Sequence, residues 1–249
     1  MYLPKILNGV FSVSVMENKR QIRETVWKKL KEYNLSVGPC YGKIPNFIGS
    51  ATAANKVIYS RFFRRAKVIY STLDSPQKLI REAALLSGKT LVLSTPRLSK
   101  GFILLNPKEI PRNAYNYAST YRGAMMYGLK MESLEGLHID MFIMGSVAVD
   151  RKGGRVGKGD GMQDLEYAVL RELGVIDDKT LTVTTVHDTQ VMDNIPMELH
   201  DVPADIIGTP SELIVTNTQY PKPSGVIWDL ISAERIASIN ILRQLSGFI

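Results

Sequence analysis

Five glycines fall within nine positions of Gly153-Gly154-Arg155-Val156-Gly157-Lys158-Gly159-Asp160-Gly161, after a predicted strand and before a predicted helix. Glycine reaches positive φ without strain and lets a ligand come close to the main chain. A run of such residues exposes successive N–H groups, which suit phosphate oxygens. The helix that follows adds the positive end of its dipole. Arg155 and Lys158 add side-chain cations for the same anion. The spacing is neither the Walker A pattern nor G-x-G-x-x-G. Glycine is also the ordinary turn residue, and the two cations and the strand–loop–helix setting tip the reading towards phosphate.

Two further groups could join that chemistry. Lys19 and Arg23 are four apart, hence on one face of a helix. Two cations there repel each other unless an anion sits between them, and taken alone they read as a solvated face. Later, His187-Asp188 follows a predicted strand, and Pro196-Met197-Glu198-Leu199-His200-Asp201 precedes another near Asp205. Carboxylates at strand ends hold Mg²⁺ through one or two ligands plus phosphates. In loops they are also caps and turn formers.

The elements that must position these groups alternate. Ile22, Val26 and Leu30 predict a helix over 17–33, and a second helix is predicted over 51–65, capped by Ser50 or Thr52. A strand at 67–71, a helix over 76–87 with Pro76 in its first turn, and a strand at 90–94 follow. That order predicts a parallel sheet with crossover helices. Residues 99–131 read as loops and short helices. Strands are predicted at 139–146, 148–150, 180–186, 205–207 and 212–216, a helix over 164–173, and a last helix over 227–245. No composition shift divides the chain, so one α/β domain over 1–249 is expected, with room for a small N-terminal helical lobe.

At 249 residues, with 45% apolar and 22% charged residues, the chain can bury a sizeable core. No apolar run is long enough for a membrane span, and residues 1–15 lack the features of a signal peptide. A single cysteine, Cys40, rules out an internal disulfide and fits a reducing, cytoplasmic setting. One Cys and three His exclude zinc-finger spacing. The net charge of +7, partly clustered at Arg61, Arg64, Arg65 and Lys67, suits polyanionic partners.

In this order the motifs resemble the 5-formyltetrahydrofolate cyclo-ligase family. Lys19-Arg20-Gln21-Ile22-Arg23 is similar to its K-x-x-L-R, and the stretch from Arg155 to Asp164 to its R-L-G-x-G-x-G-Y-Y-D. Gln190, Pro196, Glu198, His200, Asp201 and Asp205 follow its Q-x-x-x-x-x-P-x-E-x-H-D-x-x-x-D. The resemblance implies a three-layer α/β fold with a mostly parallel sheet, of the sugar-phosphate-isomerase and CoA-transferase-like Rossmann type. It implies closure of 5-formyltetrahydrofolate, or a related formylated pterin, to the 5,10-methenyl form with ATP and Mg²⁺.

Under that resemblance Lys19, Arg23, Arg155 and Lys158 serve catalysis. The nucleotide is held by the same four together with Gly157, Gly159, Asp160, Gly161, Met162 and Gln163. Asp164 and Asp201 take the metal. Asp74, Lys158, Gly161 and Met162 face the small-molecule substrate. Met162 and Gln163 stand where the family has paired tyrosines, and Thr72 where it has the first acid of E-x-[DE]-T. The alternative is a non-catalytic member that binds a nucleotide or RNA.

Overall fold

The computed structural model describes residues 5–132, 134 and 136–247, with side chains from residue 14 onward. Helix α1 spans Lys5–Glu32 and starts well before the predicted position. The helix predicted over 51–65 is two helices, α2 (Ser50–Ile58) and α3 (Arg61–Arg65). Ser60 turns extended between them, and its Oγ accepts from Phe63 N at 3.2 Å to cap α3. Neither Ser50 nor Thr52 caps α2; Gly49, with φ 87°, holds that place without a side-chain bond.

Strand β1 (Val68–Ser71) leads through a 3-10 turn at Ser75–Gln77, which contains Pro76, into α4 (Lys78–Leu86) and β2 (Thr90–Ser94). The stretch 99–131 holds more than the expected loops and short helices. It contributes β3 (Phe102–Leu105), α5 (Tyr115–Ala118), α6 (Tyr121–Tyr127) and β4 (Leu129–Met131). Then come β5 (Met141–Ile143), β6 (Ala148–Asp150), β7 (Arg155–Val156), α7 (Met162–Glu172), β8 (Leu181–Thr185) and β9 (Val191–Met192). Last are β10 (Ile206–Gly208), β11 (Leu213–Val215), α8 (Ala233–Ser238) and α9 (Asn240–Ser246). The long C-terminal helix expected over 227–245 is broken by a 3-10 turn at Trp228–Leu230 and by extended Ile239.

The main sheet has the order β11-β10-β8-β5-β1-β2-β3-β4. Its five strands from β10 to β2 are mutually parallel, and β3, β4 and β11 add antiparallel edges. Period-two alternation drives its two faces into separate cores. On one face Tyr70 and Phe142 stack at 4.7 Å, packed with Leu165 and Val169 of α7 and Leu242 of α9. On the other, Ile69, Met141 and Ile143 meet Val57 of α2 and Ile80 and Leu85 of α4. Each such side chain, fully buried, contributes about 1.5–3 kcal/mol. The result is the three-layer α/β architecture that the alternating elements imply.

A small second sheet, β7-β6-β9, packs against α1 through Val26, Leu30, Ala148, Val156 and Ile195. The chain runs from β1 to β2 on one side, then returns with β5 on the other side of β1. Loops leaving β1 and β5 therefore flank a topological switch point, where open parallel sheets place ligands. No helix among the described residues is long and apolar enough to cross a membrane.

Candidate functional site

Residues 157–161 link β7 to α7 and form one lip of a cavity of about 1000 Å³. Gly159 (φ 106°) and Gly161 (φ 63°) take backbone conformations that side chains resist. No described residue accepts a hydrogen bond from the N–H of Gly157, Lys158, Gly159, Asp160 or Gly161. Five successive donors thus stand unpaired at the start of an 11-residue helix, the setting in which backbone binds anions.

The predicted cations divide into different tasks. Arg155 borders the cavity but is 2% exposed. Its Nε donates to Val202 O (3.0 Å), its Nη1 to Gly145 O (3.1 Å) and Gln163 Oε1 (3.4 Å), and its Nη2 to Asp164. The expected phosphate ligand is therefore occupied in tying the loop to the elements after β5 and before β10. Lys158 keeps an accessible ammonium, 3.0 Å from Asp160 Oδ2. Arg23 Nε donates to Gly157 O at 2.8 Å; half-burial pushes its guanidinium below the usual range, opposed by Asp201 and Asp164.

Lys19 does not share an anion with Arg23. Its ammonium is buried against Asp201 and, at 2.9 Å, Glu198 Oε2. The repulsion expected of two cations on one helix face is relieved by different partners, a carboxylate pair for Lys19 and a carbonyl for Arg23.

Asp164 and Asp201 both border the cavity. Asp164 Oδ1 accepts from Arg155 and from Val202 N at 3.1 Å; Asp201 Oδ2 accepts from Lys19 and from Glu198 N at 2.6 Å. Among the described residues the group spaced to hold a metal ion is Glu198, His200 and Asp201, with ligand atoms all within 4.8 Å of one another. Asp201 belongs to it, Asp164 does not, and Glu198 and His200 join it. Their spacing around Asp201 was visible in the sequence, although metal ligation was expected only of the two aspartates.

Asp74 follows β1 but does not border the cavity. Gln163, itself buried, covers it by donating from Nε2 to Asp74 Oδ2 at 2.8 Å. Thr72 Oγ1 donates to the same oxygen at 2.7 Å, and burial raises the Asp74 carboxyl above its usual range despite that bond. Gln163 thus joins Asp74 to Arg155 and Asp164. Met162 borders the cavity, with its sulfur 2.9 Å from Arg235 Nη2. Behind α7, burial pushes Glu166 up to about 7; Ser94 Oγ donates to its Oε1 at 2.6 Å. His187 and Asp188, read as candidates near a strand end, are used locally. His187 Nδ1 accepts from Thr189 N at 3.1 Å, and Asp188 accepts from Ser211.

A glycine loop with unpaired donors opens a helix beside a parallel-sheet switch point, flanked by carboxylates, in an α/β protein, an arrangement chemically able to take an anion. Residues 15–210 match the 5-formyltetrahydrofolate cyclo-ligase family, and the chain belongs to that family. It is 36% identical over 246 residues to a methenyltetrahydrofolate synthase domain-containing protein of Danio rerio, covering 96% of this chain and 64% of that protein. It is 37% identical over 235 residues to the protein of that name in Homo sapiens, covering 92% and 61%. The chain thus spans somewhat over three fifths of the length of these relatives. In fold it is similar to the NMR structure of Aquifex aeolicus 5,10-methenyltetrahydrofolate synthetase, with TM-score 0.50 and 18% identity over 82% of this chain and 95% of that one.

Proposed function

We propose that this chain closes the N5-formyl group of 5-formyltetrahydrofolate, or of a related formylated pterin, onto N10, consuming ATP with Mg²⁺ and releasing ADP and phosphate. The observation that carries the proposal is the row of five unpaired N–H groups from Gly157 to Gly161 in a member of the cyclo-ligase family. In this reading the formyl oxygen takes the γ-phosphoryl group and ADP leaves. N10 then attacks the formyl carbon, the oxygen departs on phosphate, and the N10 proton is released.

Such a reaction needs charge neutralisation and alignment more than a protein nucleophile. The loop N–H groups hold phosphate oxygens. Lys158 exchanges Asp160 for the phosphate, and Arg23 and Arg155 keep the loop in register. Among the described residues, Asp164 and Asp201 each have one oxygen that accepts no hydrogen bond. The Asp201 oxygen, with Glu198, suits a hard cation that takes few protein ligands besides phosphates. Bound Mg²⁺ would supply neutralisation of the transferring phosphoryl group. Gln163 links the start of α7 to Asp74, and Met162 borders the cavity, where the pterin is expected.

The test is an absorbance assay with Mg-ATP and 5-formyltetrahydrofolate, following the near-ultraviolet band of the methenyl product. An ATP-dependent rise is expected. Absence of both a rise and of Mg-ATP binding by calorimetry would overturn the proposal.

A further inference from the structure

The family match ends at residue 210, but the cavity continues beyond it. Part of its wall comes from residues 220–235, among them Pro223, Ile227, Leu230, Ile231 and Arg235. Ile227 is 36% and Leu230 62% exposed, so two large apolar side chains face open space at the cavity.

This wall is fastened on both sides. In its first half, Lys222 Nζ reaches Asp205 Oδ2 at 2.7 Å and Thr180 O at 2.8 Å, and Val226 N donates to Glu172 Oε2 at 3.0 Å. Gly225 lies so near Glu172 that a Cβ there would collide with the carboxylate. After it, Ile236, Ile239 and Leu242 are buried in the core that contains Leu165 and Val169. Arg235 Nη2 donates to Asp160 O at 3.1 Å, which joins the wall to the anion loop itself. Arg23 holds the other end of that loop at Gly157 O.

The cavity is therefore lined both by a fixed apolar surface and by a row of anion donors, and Arg235 joins the two. That combination suits a ligand with a planar ring joined through a short polar linker to a polyanion. In a nucleotide one ribose separates the base from the phosphates. In a folate the pterin is separated from its carboxylates by a whole aminobenzoyl group, and isolated carboxylates need fewer than five donors.

We infer that the segment 220–235 is the seat of the nucleobase of a nucleotide whose phosphates lie on residues 157–161. The inference rests on the ATP reading above and adds a specificity surface from chain outside the family match.

The test is calorimetry on the full chain with three probes: Mg-ATP, inorganic tripolyphosphate with Mg²⁺, and 5-formyltetrahydrofolate. Wild type is compared with Leu230→Ser and with the double variant Ile227→Ser/Leu230→Ser, whose folding is checked by thermal melting. Serine removes apolar area without adding charge, so ATP should bind roughly tenfold more weakly to the double variant. Tripolyphosphate and the folate should bind as before. Unchanged ATP affinity in both variants overturns the inference, as does a loss confined to the folate. Equal affinity of wild type for ATP and tripolyphosphate overturns it while leaving the phosphate loop in place. Failure of wild type to bind either phosphate compound removes the nucleotide reading and the inference together.

Discussion

Two cation–carboxylate pairs serve the one loop: Arg155–Asp164, nine residues apart, joins the elements at its two ends, and Lys158–Asp160, two apart, lies on it. In Arg155–Asp164 the side chains are 1% and 15% exposed; in Lys158–Asp160 they are 35% and 44% exposed. The residue types match, but the environments assign them opposite work. A buried guanidinium must have all its donors satisfied, and Arg155 finds them on Val202, Gly145, Gln163 and Asp164. An exposed ammonium is solvated with or without Asp160, so Lys158 can change partners at small cost. The loop is rigid at its buried root and adaptable at its rim.

That contrast can be broken most directly at its buried end. Arg155→Ala takes the guanidinium from Asp164 and from the carbonyls of Gly145 and Val202, and should lower stability by about 5 kcal/mol, read from the denaturant midpoint. A wild-type midpoint would erase the distinction between root and rim. Lys19→Met should cost about 3–4 kcal/mol, because Glu198 and Asp201 lose the ammonium between them. Mg²⁺ should raise the melting temperature of this variant more than that of wild type; an equal rise would separate the carboxylates from metal binding.

A third test sharpens the view of the buried side through pH. Glu166 is raised from 4.5 to about 7, chiefly by burial. Between those values the folded chain keeps a proton that the unfolded chain has lost. Stability therefore falls as pH rises through that window, by on the order of 3 kcal/mol once both states are ionised. Glu166→Gln retains a partner for Ser94 and should flatten the dependence, measured by denaturation at pH 5 and pH 8. The smallest change in stability belongs to the rim. Lys158→Ala should leave the midpoint within about 1 kcal/mol while weakening Mg-ATP binding by about 1.5–3 kcal/mol. An unchanged affinity would make the rim an ordinary turn.

The parallel sheet was legible because buried strands such as 67–71 and 90–94 alternate with a helix and carry β-branched or leucine runs. The loop was legible because glycine spacing is local. Boundaries were less so. Ser60 ends a helix that apolar spacing alone would continue, since a capping hydroxyl competes with the helix only when the backbone turns there. β3 and β4 were missed because Phe102–Leu105 finds its partners in β2 and β4, with Phe102 opposite Met131 and Leu104 opposite Leu129, so local pattern carries little of that pairing.

By itself the sequence determined the family, through a glycine run flanked by cations, carboxylates spaced downstream, and the order of these motifs. Only the tertiary structure decided which charges are free. Arg155 and Lys158 differ by three positions and look equivalent in one dimension. Burial of one among four acceptors and exposure of the other follow from how β5, β7, α7 and the 198–202 segment converge. Desolvation depends on neighbours brought together from distant parts of the chain, so residue type and spacing do not encode it locally. The same reason hid Arg235 and the apolar wall, which meet the loop some 75 residues away in sequence.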